Sequence, residues 1–112
     1  MESLLTWTDF EKIDIRVGTI TEAKPFPKAK KPAYQLTINF GPLGIKRSSA
    51  QITQHYTPES LVGEQVIAVV NFPPKNIAGF QSECLVLGVY DEQNAVVLLA
   101  PKKPVSEGLK IG

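Results

Sequence analysis

From Tyr34 to Phe40 the chain reads YQLTINF, with Tyr34, Leu36, Ile38 and Phe40 alternating with Gln35, Thr37 and Asn39. A period of two over seven residues gives a strand with one apolar and one polar face. Ile13, Ile15 and Val17 alternate with Asp14, Arg16 and Gly18 in the same way. Ile20 then falls on the opposite parity, which predicts a bulge or sharp bend at Gly18. Further strands are expected at IKRSSAQI, QVIAVVNF, ECLVLGVY and AVVLLA, the last two joined by the turn-like DEQN. The segment AKPFPKAKKP, with its prolines and lysines, reads as a loop, and GPLG turns the chain into IKRSSAQI.

Helical signals are short. Thr8 with Glu11 fits a capping box that would open a turn at TDFEK, leaving Trp7 to pack back on the domain. Thr57 is placed as an N-cap before Pro58 at the first helical position, with Gly63 ending the segment. Five to six strands and almost no helix in 112 residues predict one all-β domain, residues 1–112, built as a small barrel or sandwich with short helical segments.

Two features ask for more than such a barrel needs. VIAVV, CLVLGV and AVVLL are apolar at both parities, whereas an ordinary antiparallel strand turns one face to water. A cover for the outer face is therefore expected, in part from the N-terminal turn and in part from a second copy, making a homodimer. NFPPKNIAGF carries two adjacent prolines that cannot donate to a ladder, so it reads as a loop with Phe72 and Phe80 around Lys75.

Composition removes several function classes. Cys84 is the single cysteine, so no internal disulfide forms and a reduced, cytoplasmic setting is expected. No apolar run approaches the roughly 20 residues of a membrane-spanning helix, and the N-terminus lacks the pattern of a secretory leader, so a soluble protein without membrane insertion is expected. His55 is the only histidine, and Cys84 lies inside ECLVLG, a buried setting in which thiols are inert; a Cys–His nucleophile is disfavoured. One histidine, one cysteine and scattered carboxylates make no metal cluster, and no glycine-rich phosphate loop is present. The expectation is a non-enzyme without cofactor or metal.

What remains is a surface for chains. Net charge is only +1, yet Lys24, Lys28, Lys30, Lys31, Lys46 and Arg47 lie between Glu22 and Glu59 with no acidic residue among them. A fold that gathered them on one face would present a positive field to a polyanion; a solvated face is the ordinary alternative. Lys46 and Arg47 adjoin Ser48 and Ser49, and Lys75, Asn76, Gln81 and Ser82 accompany the two phenylalanines. Cations hold phosphates, hydroxyls and amides read base edges, and rings stack on bases. The ordinary counterparts are serines ending a ladder, Asn76 making a turn, and Phe72 and Phe80 serving as core.

The order DIRVGTI, PKAKKPAYQLTINFG, IKRSSAQI and LVGEQVIAVVNFPPKNIAGFQSECLVLG resembles the tRNA-binding domain appended to methionyl- and phenylalanyl-tRNA synthetases, over most of the chain. AKKPAYQLTI and NFPPKNIAGFQSE are similar to the free-standing CsaA branch, a group of secretion-related chaperones. The resemblance implies a five-stranded oligonucleotide-binding (OB-fold) barrel, a homodimer, affinity for tRNA, and affinity for unfolded or export-bound polypeptides. It carries Asn71, Lys75, Gly79 and Ser82 onto a binding rim, with Lys31 from the lysine-rich loop. Cys84 and Leu85 stand where many members have glycine and methionine.

Two readings follow. In one, a chaperone holds extended polypeptide segments, with Phe72 and Phe80 for burial and lysines for acidic flanks. In the other, an accessory protein engages tRNA through Lys46, Arg47 and Lys75, with Ser49 and Ser82 beside them.

Overall fold

The computed structural model of the protein describes residues 3–112. Alternation decides its centre. β1 (Ile15–Pro25), β2 (Tyr34–Asn39), β3 (Ile45–Ala50), β4 (Gln65–Val69) and β7 (Leu85–Val86) form an antiparallel sheet in the order β3–β2–β1–β4–β7. Leu36, Ile38 and Phe40 of the β2 segment enter the core beside Ile20, Leu61 and Val66. Each fully buried large side chain of this kind contributes about 1.5–3 kcal/mol relative to exposure. The sheet curls until its ends nearly meet: Ser48 Oγ on β3 donates to the carbonyl of Cys84, just before β7, at 2.9 Å. The result is a mostly-β, nearly closed five-stranded barrel of the OB type with a few short helices.

The irregularity in β1 lies beyond Gly18. Ile20 pairs with Ile38 and Glu22 with Thr37, so Thr21 is the extra residue of a bulge. Gly18 answers a different demand: a Cβ there would stand 2.6 Å from both Ile38 Cγ2 and Phe40 Cε1, so its missing side chain makes room for the Phe40 ring. Along the first half of β1 the C-terminal segment takes over from β2. Gly108 N donates to Val17 O, Val17 N to Leu109 O and Ile111 N to Ile15 O, at 2.7–3.0 Å.

The segment read as a loop after Asn71 is instead a hairpin. Once past Pro73 and Pro74, β5 (Lys75–Ile77) pairs with β6 (Phe80–Ser82) in the register Lys75 to Ser82 and Ile77 to Phe80. Its two central residues, Ala78 at φ 49° and Gly79 at φ 86°, give the mirror-image turn whose twist matches antiparallel strands. Asn76 Oδ1 accepts from Gly79 N and does make the turn. ECLVLGVY is likewise broken, into β7 and β8 (Gly88–Tyr90), and β8 pairs with β9 (Val96–Leu98). Asp91 shapes the DEQN turn, its Oδ1 accepting from the backbones of Gln93 and Ala95.

The two α-helices among the described residues are each little more than one turn. α1 (Trp7–Glu11) is capped by Thr6 rather than Thr8: Thr6 Oγ1 accepts from Asp9 N at 3.1 Å. Trp7 does not pack back on the barrel; it is 81 % exposed, with its ring in an edge-to-face arrangement with that of Phe10. α2 (Pro58–Leu61) starts at Thr57 as expected, with Thr57 and Ser60 capping one another. Of the runs apolar at both parities, β4 is largely enclosed, whereas Leu85, Val89, Val97 and Leu99 remain on the surface.

Candidate binding groove

The bulge at Thr21 sets the polar face of the sheet. It brings Glu22 opposite Thr37, and Thr37 opposite Arg47. Lys24, Gln35 and Ser49 form the next row. The β5–β6 hairpin then folds against β3 through three hydrogen bonds. Ser49 N donates to Ser82 Oγ at 3.1 Å, Arg47 N to Glu83 Oε1 at 2.9 Å, and Glu83 N to Arg47 O at 2.7 Å. These contacts hold the Phe80 ring beneath Arg47, whose Cζ lies 4.4 Å from the ring centroid. Phe80 is 5 % exposed and packs in a second, smaller core with Phe26 and Ala33.

Beside this pair is a groove of about 480 Å³, bounded by Pro25, Phe26, Lys28, Arg47, Gly79 and Phe80. A smaller hollow of about 230 Å³ extends it over Glu22, Lys24 and Thr37, with Gln35, Arg47 and Phe80 common to both. One end is therefore apolar with a cationic rim, and the other is polar and of mixed charge. Among the described residues, Lys28 and Arg47 have no carboxylate within ion-pair distance, while Lys24 Nζ lies 3.5 Å from Glu22 Oε2. Lys28 and Arg47 thus carry uncompensated charge into a concavity, where local charge is felt more than on a flat surface.

The residues expected to bind fall into three groups. Arg47 and Phe80 line the groove, Phe80 as the support of Arg47, while Ser49 and Ser82 lie behind it, joined by the hydrogen bond that ties the hairpin to β3. Lys75 stands across the hairpin from Ser82 and is exposed. Lys31 is exposed in the loop between β1 and β2. The others lie elsewhere. Lys46 shares the parity of Ser48 and pairs with Ile38, so it points to the opposite face from Arg47. Phe72 is 54 % exposed but does not line the groove. Asn71 spends its amide on the chain, accepting from Asp14 N at 3.0 Å and donating to Lys12 O at 2.7 Å. Lys24 and Lys28 reach the groove from the basic stretch, and Glu22, Phe26, Gln35 and Thr37 line it without a binding signal of their own in the sequence. The alternation of β2 already places Gln35 and Thr37 on its polar face; Glu22 depends on the bulge, which shifts its parity.

Cys84 and His55 do not form a pair. His55 Nε2 is 2.7 Å from Asp91 Oδ2, whereas Cys84 Sγ faces the Arg47 carbonyl at 3.9 Å. Burial pushes the Cys84 thiol up to about 11, so the nucleophilic thiolate is scarce at neutral pH. The Asp91 carboxyl is held below its ordinary range, chiefly by the Ala95 N–H and then by His55. No group of three or more potential metal ligands occurs among the described residues.

Residues 15–110 match the family described as "Putative tRNA binding domain". The methionine–tRNA ligase of Porphyromonas gingivalis is 36 % identical over 107 residues, 96 % of this chain, and that of Methanocaldococcus jannaschii 38 % over 102 residues, 90 % of this chain. This chain spans about 15 % of the length of those ligases. Among solved structures, the chaperone CsaA of Bacillus anthracis str. Ames superposes with a TM-score of 0.93 at 52 % identity, covering 98 % of this chain and 100 % of that one. The CsaA chaperone protein of Picrophilus torridus does so with 0.91 at 52 %, covering 97 % and 100 %.

Proposed function

This chain belongs to the tRNA-binding domain family and to its CsaA-like branch, and we propose that it is a non-enzymatic chaperone that holds unfolded or export-bound polypeptide segments and also binds tRNA in the same groove. The observation that carries the reading is the Arg47–Phe80 platform beside an open, partly apolar concavity. A cation fixed on a ring suits a phosphate, a carboxylate or an aromatic side chain, and the Phe26–Phe80 wall offers apolar area to a side chain laid along it. The relatives named as CsaA chaperones support the polypeptide ligand; the cations without partners support RNA as the main ligand in the second reading.

Light scattering of a chemically denatured client diluted into buffer, with and without the protein, tests the first reading, and tRNA titrated into the mixture tests the shared groove. Suppressed aggregation that tRNA reverses is expected. No effect on the client together with no tRNA binding at low salt would overturn the proposal. If tRNA binds and the client is ignored, RNA is the main ligand.

The working unit is proposed to be a homodimer. The surface side chains Leu85, Val89, Val97 and Leu99 support this, since standard interfaces bury on the order of 800 Å² per partner around such an apolar centre. Sedimentation equilibrium should give twice the chain mass at micromolar concentration. A cytoplasmic site is part of the same proposal, in keeping with the buried free thiol of Cys84.

A further inference from the structure

We infer that Glu22 makes the groove selective for polypeptide segments bearing a lysine or arginine side chain and works against an RNA phosphate backbone. The inference rests on the proposed polypeptide-binding role and narrows its ligand class. It starts from the bulge. Ile20 faces Ile38 in the core, and an unbroken register would set Glu22 against Leu36, which is also in the core. The extra residue Thr21 turns Glu22 outward to face Thr37 instead. Bulges re-aim side chains in this way, and here the effect is to deliver a carboxylate to the groove.

Glu22 and Arg47 then flank Thr37 in one row, about 10 Å apart at the backbone, two strand spacings. Thr37 Oγ1 donates to Glu22 Oε1 at 3.4 Å, and Lys24 Nζ approaches Oε2 at 3.5 Å. The Glu22 and Lys24 side chains are 54 % and 61 % exposed, and exposed pairs of this kind are weak enough to exchange partners. A ligand lying from the Phe26–Phe80 wall across Thr37 thus meets an apolar surface, a cation and then a carboxylate. A nucleic-acid backbone has one sign of charge throughout, so what it gains at Arg47 it partly loses at Glu22. An extended polypeptide places side chains on one face about 7 Å apart. It can set an apolar group against the wall and an ammonium or guanidinium on Glu22, taking the place of Lys24.

The test uses the full chain, two fluorescent unstructured peptides that differ only by lysine or glutamine at one position beside an aromatic residue, and a single-stranded oligouridylate. Wild type, Glu22→Gln and Glu59→Gln are compared at low salt; Glu59 lies on α2, so its variant controls for net charge. Wild type should favour the lysine peptide by about three- to fivefold, the range of an exposed ion pair. Glu22→Gln should abolish that preference, leave the glutamine peptide unchanged and tighten the oligouridylate, while Glu59→Gln should behave as wild type. Equal binding of both peptides by wild type, or a preference that survives Glu22→Gln, overturns this inference and leaves the chaperone reading standing. If wild type binds neither peptide, both fall; if Glu22→Gln alters only RNA binding, the polypeptide class is wrong.

Discussion

The guanidinium of Arg47 sits 4.4 Å from the centroid of the Phe80 ring, and the same ring packs against Phe26 with centroids 5.4 Å apart. The cation is therefore positioned by a small core rather than by an acidic partner. Arg47→Ala should cost at most about 1 kcal/mol of stability, the range of an exposed cation–π contact. It should lower tRNA affinity at low salt and reduce the slope of log affinity against log salt by about one. Phe80→Leu, which keeps a buried apolar side chain, should retain the fold and weaken an apolar polypeptide client more than Arg47→Ala does. Affinities across a salt series for both ligands check this; wild-type binding of both by both variants would reduce the platform to scaffolding.

Ala78 lies at φ 49°, a conformation that costs a side-chain-bearing residue about 1–2 kcal/mol. Ala78→Asn creates the Asn-Gly pair that such two-residue turns favour. It should stabilise the protein by about 0.5 kcal/mol, seen as a rise of a few degrees in Tm. Gly79→Val should do the reverse, losing about 1–2 kcal/mol at φ 86°. An unchanged Tm in both would mean that the hairpin melts before the barrel.

Asp91 ties the β8–β9 turn to His55, and its carboxyl is held below 3.8 by the Ala95 N–H first and then by His55. A folded-state value below the unfolded one stabilises the native state above the unfolded value, and the gain is lost as pH falls through the folded one. Urea unfolding at pH 7, 4 and 3 should therefore show an acid loss that is smaller in Asp91→Asn. Equal losses in the two proteins would assign the acid sensitivity elsewhere.

Cys84, raised to about 11 by burial, should react with a thiol reagent at pH 8 far more slowly than a free thiol and at the rate of local opening. Cys84→Ala should cost about 1 kcal/mol or slightly more through the small cavity left behind, with ligand binding intact. Fast labelling of the native protein would contradict the buried placement.

The barrel was readable wherever one strand carried its own pattern. YQLTINF announced its core face, and Thr57–Pro58 announced the start of α2. What stayed hidden depends on pairings across long separations. Asn71 reads as a rim residue, yet its amide clamps Lys12 and Asp14, 57–59 positions away. Pro73 and Pro74 made the following segment look like a loop, although they only precede a hairpin whose Ala-Gly turn lacks the usual Asn-Gly signature. Lys46 and Arg47 are neighbours in sequence and therefore opposite in direction once β3 forms. The segment from Gly108 to Ile111 has no strand pattern, but its backbone completes the edge of β1.

The ties between β3 and the β5–β6 hairpin have a further effect. The outward N–H groups of Arg47 and Ser49 are already occupied by Glu83 Oε1 and Ser82 Oγ, and the Arg47 carbonyl by Glu83 N. An open strand edge is a template onto which a foreign strand can zip, backbone to backbone, almost without regard to sequence. With these groups taken, an extended chain in the groove would meet side chains rather than free backbone groups between Arg47 and the Ser49 N–H. A polypeptide of the proposed kind would then be held there without a ladder to unzip on release, and this stretch of β3 would offer no template for stacking client strands.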